Sequence, residues 1–422
     1  MTIALSENDK RMLDGRFGQA CRMAMSIVVR MAEVYGADEL MDVSQAHIDG
    51  CALMSDAGLE FAEKLAAAGG KVLVPTTLNM GPLDLQDWRR FICDEEFAAK
   101  AVRQGKAYTD MGCVPTWSCA PYQGYLTPRF GQQIAWGESN AICYANSVLG
   151  ARTNRYADYL DICAAITARV PKCGLHLTEN RRGQWLLRLV GFSPALMAEE
   201  VFYPVLGHLI GTMVGEKIPV IEGMPTRATD DQLKAFGAAA ASAGSVALFH
   251  AVGLTPEAPT AEAAFQHCRP QRVVDIRPED WYRAWDDLAG VEQGAKLDVV
   301  VLGCPHLSFA EFRSLVEAIR EAAPAKAADG VDVALLTCQQ SLALVERTNW
   351  LAELEAFGAR ITRDTCVFHT PMIRRDAKVL MTNSGKCAYY SPGTLGVRVA
   401  FGSVGDCVRS AVAGRVLRRR PG

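Results

Sequence analysis

The sequence predicts an α/β fold of several lobes, with parallel-rich sheets layered between helices in an α/β/α arrangement. In the last third of the chain, short apolar runs rich in valine and leucine alternate with amphipathic stretches of helical length. This alternation is typical of parallel sheets with helices on their faces. The chain has 422 residues, which is too long for one hydrophobic core. We expect two lobes, at about residues 1–225 and 226–422.

The first lobe is predicted to begin with helices. Residues 6–68 show a helical pattern, and Ser6 and Asp9 have the spacing of a capping box at its start. Residues 71–75 then form a short apolar run that indicates a buried strand. Residues 105–155 are rich in glycine, proline, serine, asparagine and aromatic residues. Long irregular stretches inside compact domains are often functional, so we expect site residues there.

The second lobe is predicted to repeat a strand–helix unit. Ser308 and Glu311 have the spacing of a capping box before an amphipathic helix, and Ser403 and Asp406 repeat that spacing before the last helix. The predicted strands are residues 297–302, 331–336, 377–381 and 397–401. In parallel α/β sheets, ligands bind beyond the carboxyl ends of the strands. The side chains just beyond predicted strand ends are Cys304, Ser384 and Lys386.

Composition excludes several classes of function. The chain has 44 Lys and Arg residues against 47 Asp and Glu, so its net charge of -3 gives no nucleic-acid footprint. The basic run at residues 415–420 is short and is interpreted as a solvated end. The sequence shows neither a secretory leader pattern nor an apolar run long enough to span a membrane. We therefore expect a cytoplasmic protein whose fourteen cysteines are core residues or metal ligands.

Three cysteines lie in turn-like stretches with small or polar neighbours, namely Cys119, Cys304 and Cys366. Cys304 lies between a strand end and a helix start, where the helix dipole favours a thiolate, although a buried structural cysteine at a tight turn is the alternative. The chain has no Cys-x-x-Cys pair, which argues against a structural zinc site. Thiolates from distant turns are compatible with an iron–sulfur cluster, of either [2Fe–2S] or [4Fe–4S] type. Cys51 ranks below these three as a possible fourth thiol.

Polar side chains in the irregular segments are further candidates. The Arg152 and Arg155 guanidinium groups match the geometry of a substrate carboxylate, and the alternative is that they form ordinary surface ion pairs. His176 follows a glycine in a loop, and the alternative for it is a histidine satisfied in the core. Lys386 follows Asn-Ser-Gly and is suited to bind an anion or share a proton.

Taken together, these segments resemble the large catalytic region of the aconitase X family, and the resemblance covers nearly the whole chain. Its longest part is the run Tyr-Ala-Asn-Ser-Val-Leu-Gly-Ala-Arg-Thr-Asn-Arg at Tyr144–Arg155. The other matching stretches are residues 45–51, 74–79, 119–122, 134–141, 174–177, 179–181, 303–307, 364–366 and 381–386.

The resemblance implies an aconitase-like fold and a hydro-lyase with an iron–sulfur cluster, in which Cys119, Cys304 and Cys366 match the cluster cysteines. Its bacterial members look like cis-3-hydroxy-L-proline dehydratases and its archaeal members like phosphomevalonate dehydratases. The Cys-Ala-Pro-Tyr and His-Ile-Asp-Gly-Cys segments are closer to the bacterial form. The alternatives are dehydration of mevalonate 5-phosphate or another hydroxy acid, and a cluster-bearing sensor or interaction subunit that is not an enzyme. The catalytic candidates are His47, Glu138, Ser139, His176 and Lys386, and the substrate-binding candidates are Asn79, Arg152, Asn154, Arg155, His306 and Ser384.

The resemblance also implies a partner. Members of this family need a small swivelling domain, fused or separate, that supplies a catalytic serine. The sequence through Gly422 shows no room for that domain after its last strand–helix unit. We therefore expect the chain to act as the large subunit of a two-chain enzyme on a small hydroxy acid, without nucleic-acid or membrane partners.

Overall fold

The computed structural model describes residues 3–90, 93–322 and 326–422. The chain divides into two compact units, Met1–Arg182 and Gly183–Gly422. This division lies earlier in the chain than the boundary near residue 225 that the sequence suggests. The reason is that the first strand of the second unit already begins at Trp185.

The first unit contains two small sheets and six helices among its described residues. Strands β2, β3 and β4 pair in parallel in the order β3-β2-β4, and β1 pairs antiparallel with β5. In chain order the elements are α1 (Glu7–Leu13), α2 (Gln19–Tyr35), β1 (Leu40–Asp42), β2 (Ala46–Ile48), α3 (Asp56–Ala67), β3 (Thr76–Leu78), α4 (Glu95–Asp110), β4 (Ala135–Trp136), α5 (Ser139–Ser147), α6 (Leu160–Thr167) and β5 (Arg169–Pro171).

The predicted helical run at residues 6–68 is wrong in its middle, where β1 and β2 interrupt it. Gly36 ends α2 in the left-handed conformation with φ of 67°, which glycine adopts without a steric cost. The predicted strand at residues 71–75 is also wrong: Leu73 is exposed, and the buried strand is β3, directly after it. The capping box of Ser6 and Asp9 is confirmed at the start of α1.

The core of the first unit forms where α2 packs against α6. Helix α2 buries one face through Cys21, Ala24, Met25 and Val28, which recur at the three- and four-residue spacing of a helix. Helix α6 is buried along its whole length, so it carries almost no charge apart from Asp161. That single aspartate is therefore a conspicuous polar group in an apolar helix.

The second unit contains two parallel sheets. The four-stranded sheet has the order β8-β7-β6-β9, and the five-stranded sheet has the order β12-β11-β10-β13-β14. In chain order the elements are β6 (Trp185–Leu189), α7 (Pro194–Ala198), α8 (Phe202–Val214), β7 (Pro219–Glu222), α9 (Asp230–Gly244), β8 (His250–Ala251), α10 (Ala261–Ala264), β9 (Arg272–Ile276), α11 (Pro278–Asp287), β10 (Val299–Leu302), α12 (Phe309–Glu321), β11 (Asp332–Thr337), α13 (Gln339–Val345), α14 (Trp350–Phe357), β12 (Ala359–Arg363), β13 (Val379–Thr382), α15 (Gly385–Leu395), β14 (Arg398–Phe401) and α16 (Val404–Ala413).

The α/β fold with parallel sheets is confirmed, and so is the strand–helix repeat of the last third. The capping boxes of Ser308 with Glu311 and of Ser403 with Asp406 are both present. The sequence reading missed strand β12, because its five residues include two arginines, and it missed helix α15, which carries an internal proline.

The basic tail packs on helix α11 of the second unit. The Arg420 guanidinium lies 4.6 Å from the ring centre of Tyr282, and Arg419 forms an ion pair with Glu199. The tail therefore contributes cation–π contacts rather than a free basic patch. In the described part of the chain, no helix is both long and apolar enough to cross a membrane.

Helices α8 and α9 approach each other unusually closely because glycines line their contact. A Cβ atom added at Gly211 would lie 2.6 Å from the Ala240 carbonyl oxygen, and one at Gly244 would lie 1.8 Å from the Gly211 carbonyl oxygen. These positions leave no space for a methyl group, so the helix pair depends on small residues.

We expect Gly211→Ala to lower the free energy of unfolding by about 1–3 kcal/mol, since the added methyl group forces the two backbones apart. Gly393→Ala is the matched control, because a Cβ atom there meets no atom within 4 Å. That control should be neutral or stabilising by up to about 1 kcal/mol, as expected for alanine in a helix. Denaturant unfolding measures both, and equal stability of the two variants would contradict the close-packing argument.

Candidate active site

In the second unit, the candidate residues lie where the strand order of the five-stranded sheet reverses. The chain passes from β10 outward to β11 and β12, then returns to β13 beside β10 and continues outward to β14. Such a switch point leaves a crevice at the carboxyl ends of the two central strands, which is where α/β proteins bind ligands. Cys304 follows β10 and Ser384 follows β13.

The turn that carries Cys304 is fixed by its backbone. Gly303 has a φ of 98°, and a Cβ atom there would lie 2.1 Å from the Leu336 carbonyl oxygen, so only glycine fits. The Ser384 hydroxyl donates a hydrogen bond to the Cys304 carbonyl and also caps helix α15 by accepting from the Cys387 amide at 3.0 Å. Ser384 thus joins the two central strand ends, although the sequence suggested that it binds substrate.

His306 joins the loop of Cys304 to the loop of Cys366. Its Nε2–H donates to the Thr365 carbonyl at 2.8 Å, and its side chain is only 2% exposed. Because a carbonyl oxygen only accepts, this contact requires a proton on Nε2. The structure therefore places His306, a predicted substrate-binding residue, between the two cysteine loops.

A further thiol, that of Cys387, lies at this edge of the sheet and was not predicted from the sequence. Cys387 is fully buried in the first turn of α15, and a hydrogen bond with Cys304 is the main reason that its pKa is lowered, whereas burial and the nearby Cys366 raise that pKa. Lys386, the preceding residue, acts on His369, whose pKa falls to about 4 through burial and then through the lysine charge. The sequence signal for Cys387 was its place three residues after Ser384, where the backbone N–H of a helix bonds the capping side chain.

Lys234 supports the Cys304 turn from helix α9 and is another residue that the sequence reading missed. Its ammonium group is 1% exposed and lies 2.5 Å from Glu311, 2.9 Å from Asp231 and 3.2 Å from the His306 carbonyl. Burial alone would lower the pKa of Lys234, but the two carboxylates outweigh burial and raise it. The lysine is therefore charged and connects the turn to the capping box of α12.

In the first unit, polar side chains follow all three strands of the parallel sheet. Asp49 follows β2, Asn79 follows β3 and Glu138 follows β4 after one glycine. The Asn79 amide Nδ2 donates to Asp49 Oδ1, and Asn79 itself is fully buried. A Cβ atom at Gly137 would lie 2.6 Å from the Asp49 Cβ atom, so this glycine permits the close approach of the strand ends.

Asp49 and Asp161 form the centre of an acidic cluster. Asp161 is fully buried at the start of α6 and accepts from the backbone amides of Asp49 at 2.6 Å and Ile162 at 2.6 Å. Burial, and after it the charges of Glu138, Asp158 and Asp161, together raise the pKa of Asp49 to about 7, against the hydrogen bond from Asn79, which lowers it. Burial likewise raises the pKa of Asp161 to about 7, against the opposing effect of its backbone donors.

His47 is a neutral imidazole in the middle of β2 rather than the end of a helix, as its sequence context suggested. Burial lowers its pKa to about 3, with a smaller opposing effect from the Glu138 charge. Its Nδ1 lies 2.8 Å from the Thr77 hydroxyl, whereas Nε2 has no hydrogen-bond partner among the described residues. One ring nitrogen is therefore left for a ligand or a proton.

Cys119 is held next to Glu138 by helix α5. Glu138 caps this helix by accepting from the Ala141 amide at 2.6 Å. Two residues later, Asn140 donates to the Cys119 carbonyl at 3.2 Å and to the Tyr122 hydroxyl at 3.1 Å. Tyr122 stacks on Tyr144 with ring centres 3.8 Å apart, which fixes the cysteine loop on the helix. Ser139 lies in the same first turn, where its hydroxyl donates to Glu138 at 3.3 Å.

Three predicted site residues instead build a local scaffold. Both ring nitrogens of His176 are occupied, one by the Tyr156 hydroxyl at 2.5 Å and the other by Gln133 at 2.6 Å. Arg152 donates to the Thr178 hydroxyl, and Asn154 bonds the backbone of Cys173 and Leu175. These contacts shape the turn at residues 173–178 and match the alternative that His176 is a satisfied core histidine.

Arg155 differs from Arg152 because it is exposed and forms no ion pair with the residues that the structure describes. The charges of Arg155 and Glu138 act on the same residue of α5, Cys143. Burial raises the pKa of the Cys143 thiol to about 12, while the Arg155 charge lowers this pKa and the Glu138 charge raises it. An open guanidinium and the acidic cluster thus lie around one helix.

The thiols fit a soft metal or a cluster by the chemistry of their donors, since thiolate sulfur binds iron strongly. All fourteen cysteines are free thiols. Cys119 belongs to the first unit, whereas Cys304, Cys366 and Cys387 belong to the second. Within residues 3–90, 93–322 and 326–422, no group of three His, Cys, Asp or Glu side chains is already arranged to hold a metal ion. Cys51 donates weakly to the Ile48 and Asn79 carbonyls and packs in the core.

Three family models together cover nearly the whole chain. Residues 2–179 match the aconitase X first domain, residues 186–286 the second domain and residues 297–413 the third domain. A solved structure of aconitase X in its holo-form, from Thermococcus kodakaraensis, superposes with a TM-score of 0.86 at 30% identity, over 97% of this chain and 100% of that one.

Curated relatives fall into two groups. The cis-3-hydroxy-L-proline dehydratase of Pseudomonas aeruginosa is 42% identical over 96% of this chain and 70% of that protein, and the enzyme of the same name from Hypocrea jecorina is 40% identical over 100% and 71%. The phosphomevalonate dehydratase large subunit of Methanothermobacter thermautotrophicus is 36% identical over 94% of this chain and 96% of that subunit.

We expect Lys234→Met to lower the free energy of unfolding by about 3 kcal/mol, because it leaves two carboxylates near a buried carbonyl without their cation. Lys296→Met is the matched control. Lys296 is 84% exposed, and its contact with the Asp298 carboxylate is a long one of 3.9 Å. The control should change stability by less than about 0.5 kcal/mol. Urea unfolding distinguishes the two, and a Lys234→Met variant as stable as the control would contradict this role.

Proposed function

Because the chain belongs to the aconitase X family, it is a dehydratase, and we propose that it removes water from cis-3-hydroxy-L-proline. The observation that carries this proposal is the identity of 42% and 40% to two dehydratases of that name, against 36% to a phosphomevalonate dehydratase large subunit. Dehydration of mevalonate 5-phosphate is the second candidate, since that relative matches nearly its full length.

Cys119, Cys304 and Cys366 would hold an iron–sulfur cluster, of [2Fe–2S] or [4Fe–4S] type, whose open iron would supply a Lewis acid for the substrate's oxygen atoms. Two observations support this assignment. The Cys304 and Cys366 loops are joined by the bond from His306 to Thr365, and Cys119 lies on the loop that Asn140 holds against α5.

The chain's own residues would position the substrate and manage its proton. Arg155 is suited to bind a carboxylate, because its guanidinium is exposed and its fork geometry matches two carboxylate oxygens. Binding there would also stabilise negative charge that develops when the neighbouring carbon loses its proton. The candidates for proton transfer are His47, Glu138, Ser139, His176 and Lys386.

A small swivelling subunit that supplies a catalytic serine would complete the enzyme, which acts in the cytoplasm. This is supported by the name of the archaeal relative, a large subunit, of which this chain spans 96%.

The substrate is tested by anaerobic reconstitution of the chain with iron, sulfide and the small subunit, followed by assays on both candidates. We expect turnover of cis-3-hydroxy-L-proline to exceed that of mevalonate 5-phosphate by at least about 100-fold, because a buried polar site rejects a ligand of the wrong charge. Omitting the small subunit should abolish turnover. Preference for mevalonate 5-phosphate, or full activity of the chain alone, would contradict the proposal.

The cluster is tested by three single variants, Cys119→Ser, Cys304→Ser and Cys366→Ser. Each should lose the visible absorption and most of the bound iron after reconstitution, because a hydroxyl replaces a soft thiolate ligand. Cys268→Ser is the matched control, since Cys268 is the one exposed cysteine of the fourteen, and it should keep the absorption of the unmodified protein. Normal iron content in any of the three variants would remove that cysteine from the ligand set.

A further inference from the structure

Asp49 is a weakly compensated charged group of the acidic cluster in the first unit. It is partly exposed, it forms no salt bridge with the described residues, and its one side-chain partner is the Asn79 amide. Three other carboxylates act on it, those of Glu138, Asp158 and Asp161. An ionised carboxylate in such surroundings is costly unless a cation pairs with it.

A second observation is that an acceptor beside Asp49 has no hydrogen-bond donor among the described residues. Asn79 is fully buried, and because its Nδ2 donates to Asp49, its Oδ1 is directed elsewhere and has no partner among the described residues. Leaving a buried amide oxygen without a donor is energetically unfavourable. Asp49 and Asn79 therefore present two adjacent acceptors, and the complementary ligand group is a cation with two N–H donors.

The Arg155 charge and the Glu138 charge both act on the thiol of Cys143 in helix α5, with opposite sign. A ligand that contacts both Arg155 and Asp49 would place its carboxylate toward Arg155 and its cationic group toward Asp49. This arrangement fits a zwitterion and disfavours a ligand whose second charged group is a phosphate.

We propose that Asp49, with Asn79 beside it, binds the protonated ring nitrogen of a cyclic amino acid and thereby determines that the substrate is zwitterionic. This inference rests on the proposed function and adds the group that recognises the amine. It assigns Asp49 a role in specificity, which the cysteines and the proton-transfer candidates do not provide.

The test compares two ligands that differ in one atom. L-Proline carries a ring ammonium, whereas tetrahydrofuran-2-carboxylate has an ether oxygen in its place. Calorimetric binding to the reconstituted complex should show L-proline bound at least about 30-fold more tightly by the unmodified enzyme, a ratio expected for one charge-assisted hydrogen-bonded pair. In Asp49→Asn this ratio should fall to within about threefold, which corresponds to the loss of that pair.

Two matched controls separate this role from a general loss of charge. Asp158→Asn removes a neighbouring exposed carboxylate and should keep the full ratio. Arg155→Met should weaken both ligands alike and leave the ratio unchanged, because both carry the carboxylate. An Asp49→Asn variant that keeps the ratio but loses turnover would overturn the inference and show that Asp49 transfers a proton.

A pH series on the unmodified complex keeps the test independent of how the variant folds. The titratable groups that interact electrostatically with Asp49 are Cys51, Glu138, Asp158 and Asp161. Since the pKa of Asp49 is about 7, affinity for L-proline should fall about tenfold per pH unit below 7, as the carboxyl gains its proton, and level off above it. Affinity for tetrahydrofuran-2-carboxylate should lack this dependence, and parallel profiles for the two ligands would overturn the inference.

The outcome for the substrate is read separately. If cis-3-hydroxy-L-proline is not dehydrated but the binding ratio of the two analogues is present and depends on Asp49, then the proposed function fails while amine recognition stands. If turnover occurs and the unmodified enzyme binds both analogues equally, the proposed function stands and the role of Asp49 is wrong.

Discussion

In both units the strands that carry candidate residues pair in parallel, so their carboxyl ends lie along one edge of each sheet. Backbone groups beyond a strand end have lost their ladder partners, and nearby polar side chains satisfy them. Ser384 does so for the Cys304 carbonyl, and Asp161 does so for the Asp49 amide. The same requirement that completes each sheet thus collects polar side chains where a ligand can reach them.

The two units satisfy their buried charges in different ways. In the second unit, the Lys234 ammonium forms ion pairs with Asp231 and Glu311, so the buried charges beside the Cys304 turn are paired within the chain. In the first unit, backbone amides and the Asn79 amide partly stabilise Asp161 and Asp49, and no cation is bonded to either within the described residues. The second unit is therefore suited to hold a rigid ligand set, whereas the first unit keeps an unbalanced charge for a ligand to neutralise.

The sequence predicted the elements whose signals are local. The capping boxes at Ser308 and Ser403 each mark a helix start, because both partners lie within four residues. Strands β1 and β2 were missed, since each has three residues and its stability comes from distant partners. For the same reason Cys304 was visible from its turn, whereas Lys234 was not: a lysine on a helix has no local sign that two carboxylates and a carbonyl will surround it.

Strained backbone lies two residues before Cys119, two residues before Cys366 and at Glu138. Trp117, Glu138 and Asp364 all have positive φ, at 44°, 68° and 66°, and only glycine adopts such angles without cost. Each costs on the order of 1–3 kcal/mol and persists only where surrounding contacts fix it. Those contacts are present: Trp117 packs against Gly105, Glu138 caps α5, and Asp364 accepts from the Gln339 amide at 2.8 Å. Local contacts therefore fix the strained backbone at the segments before Cys119 and Cys366 and at the acidic cluster, where the candidate residues lie.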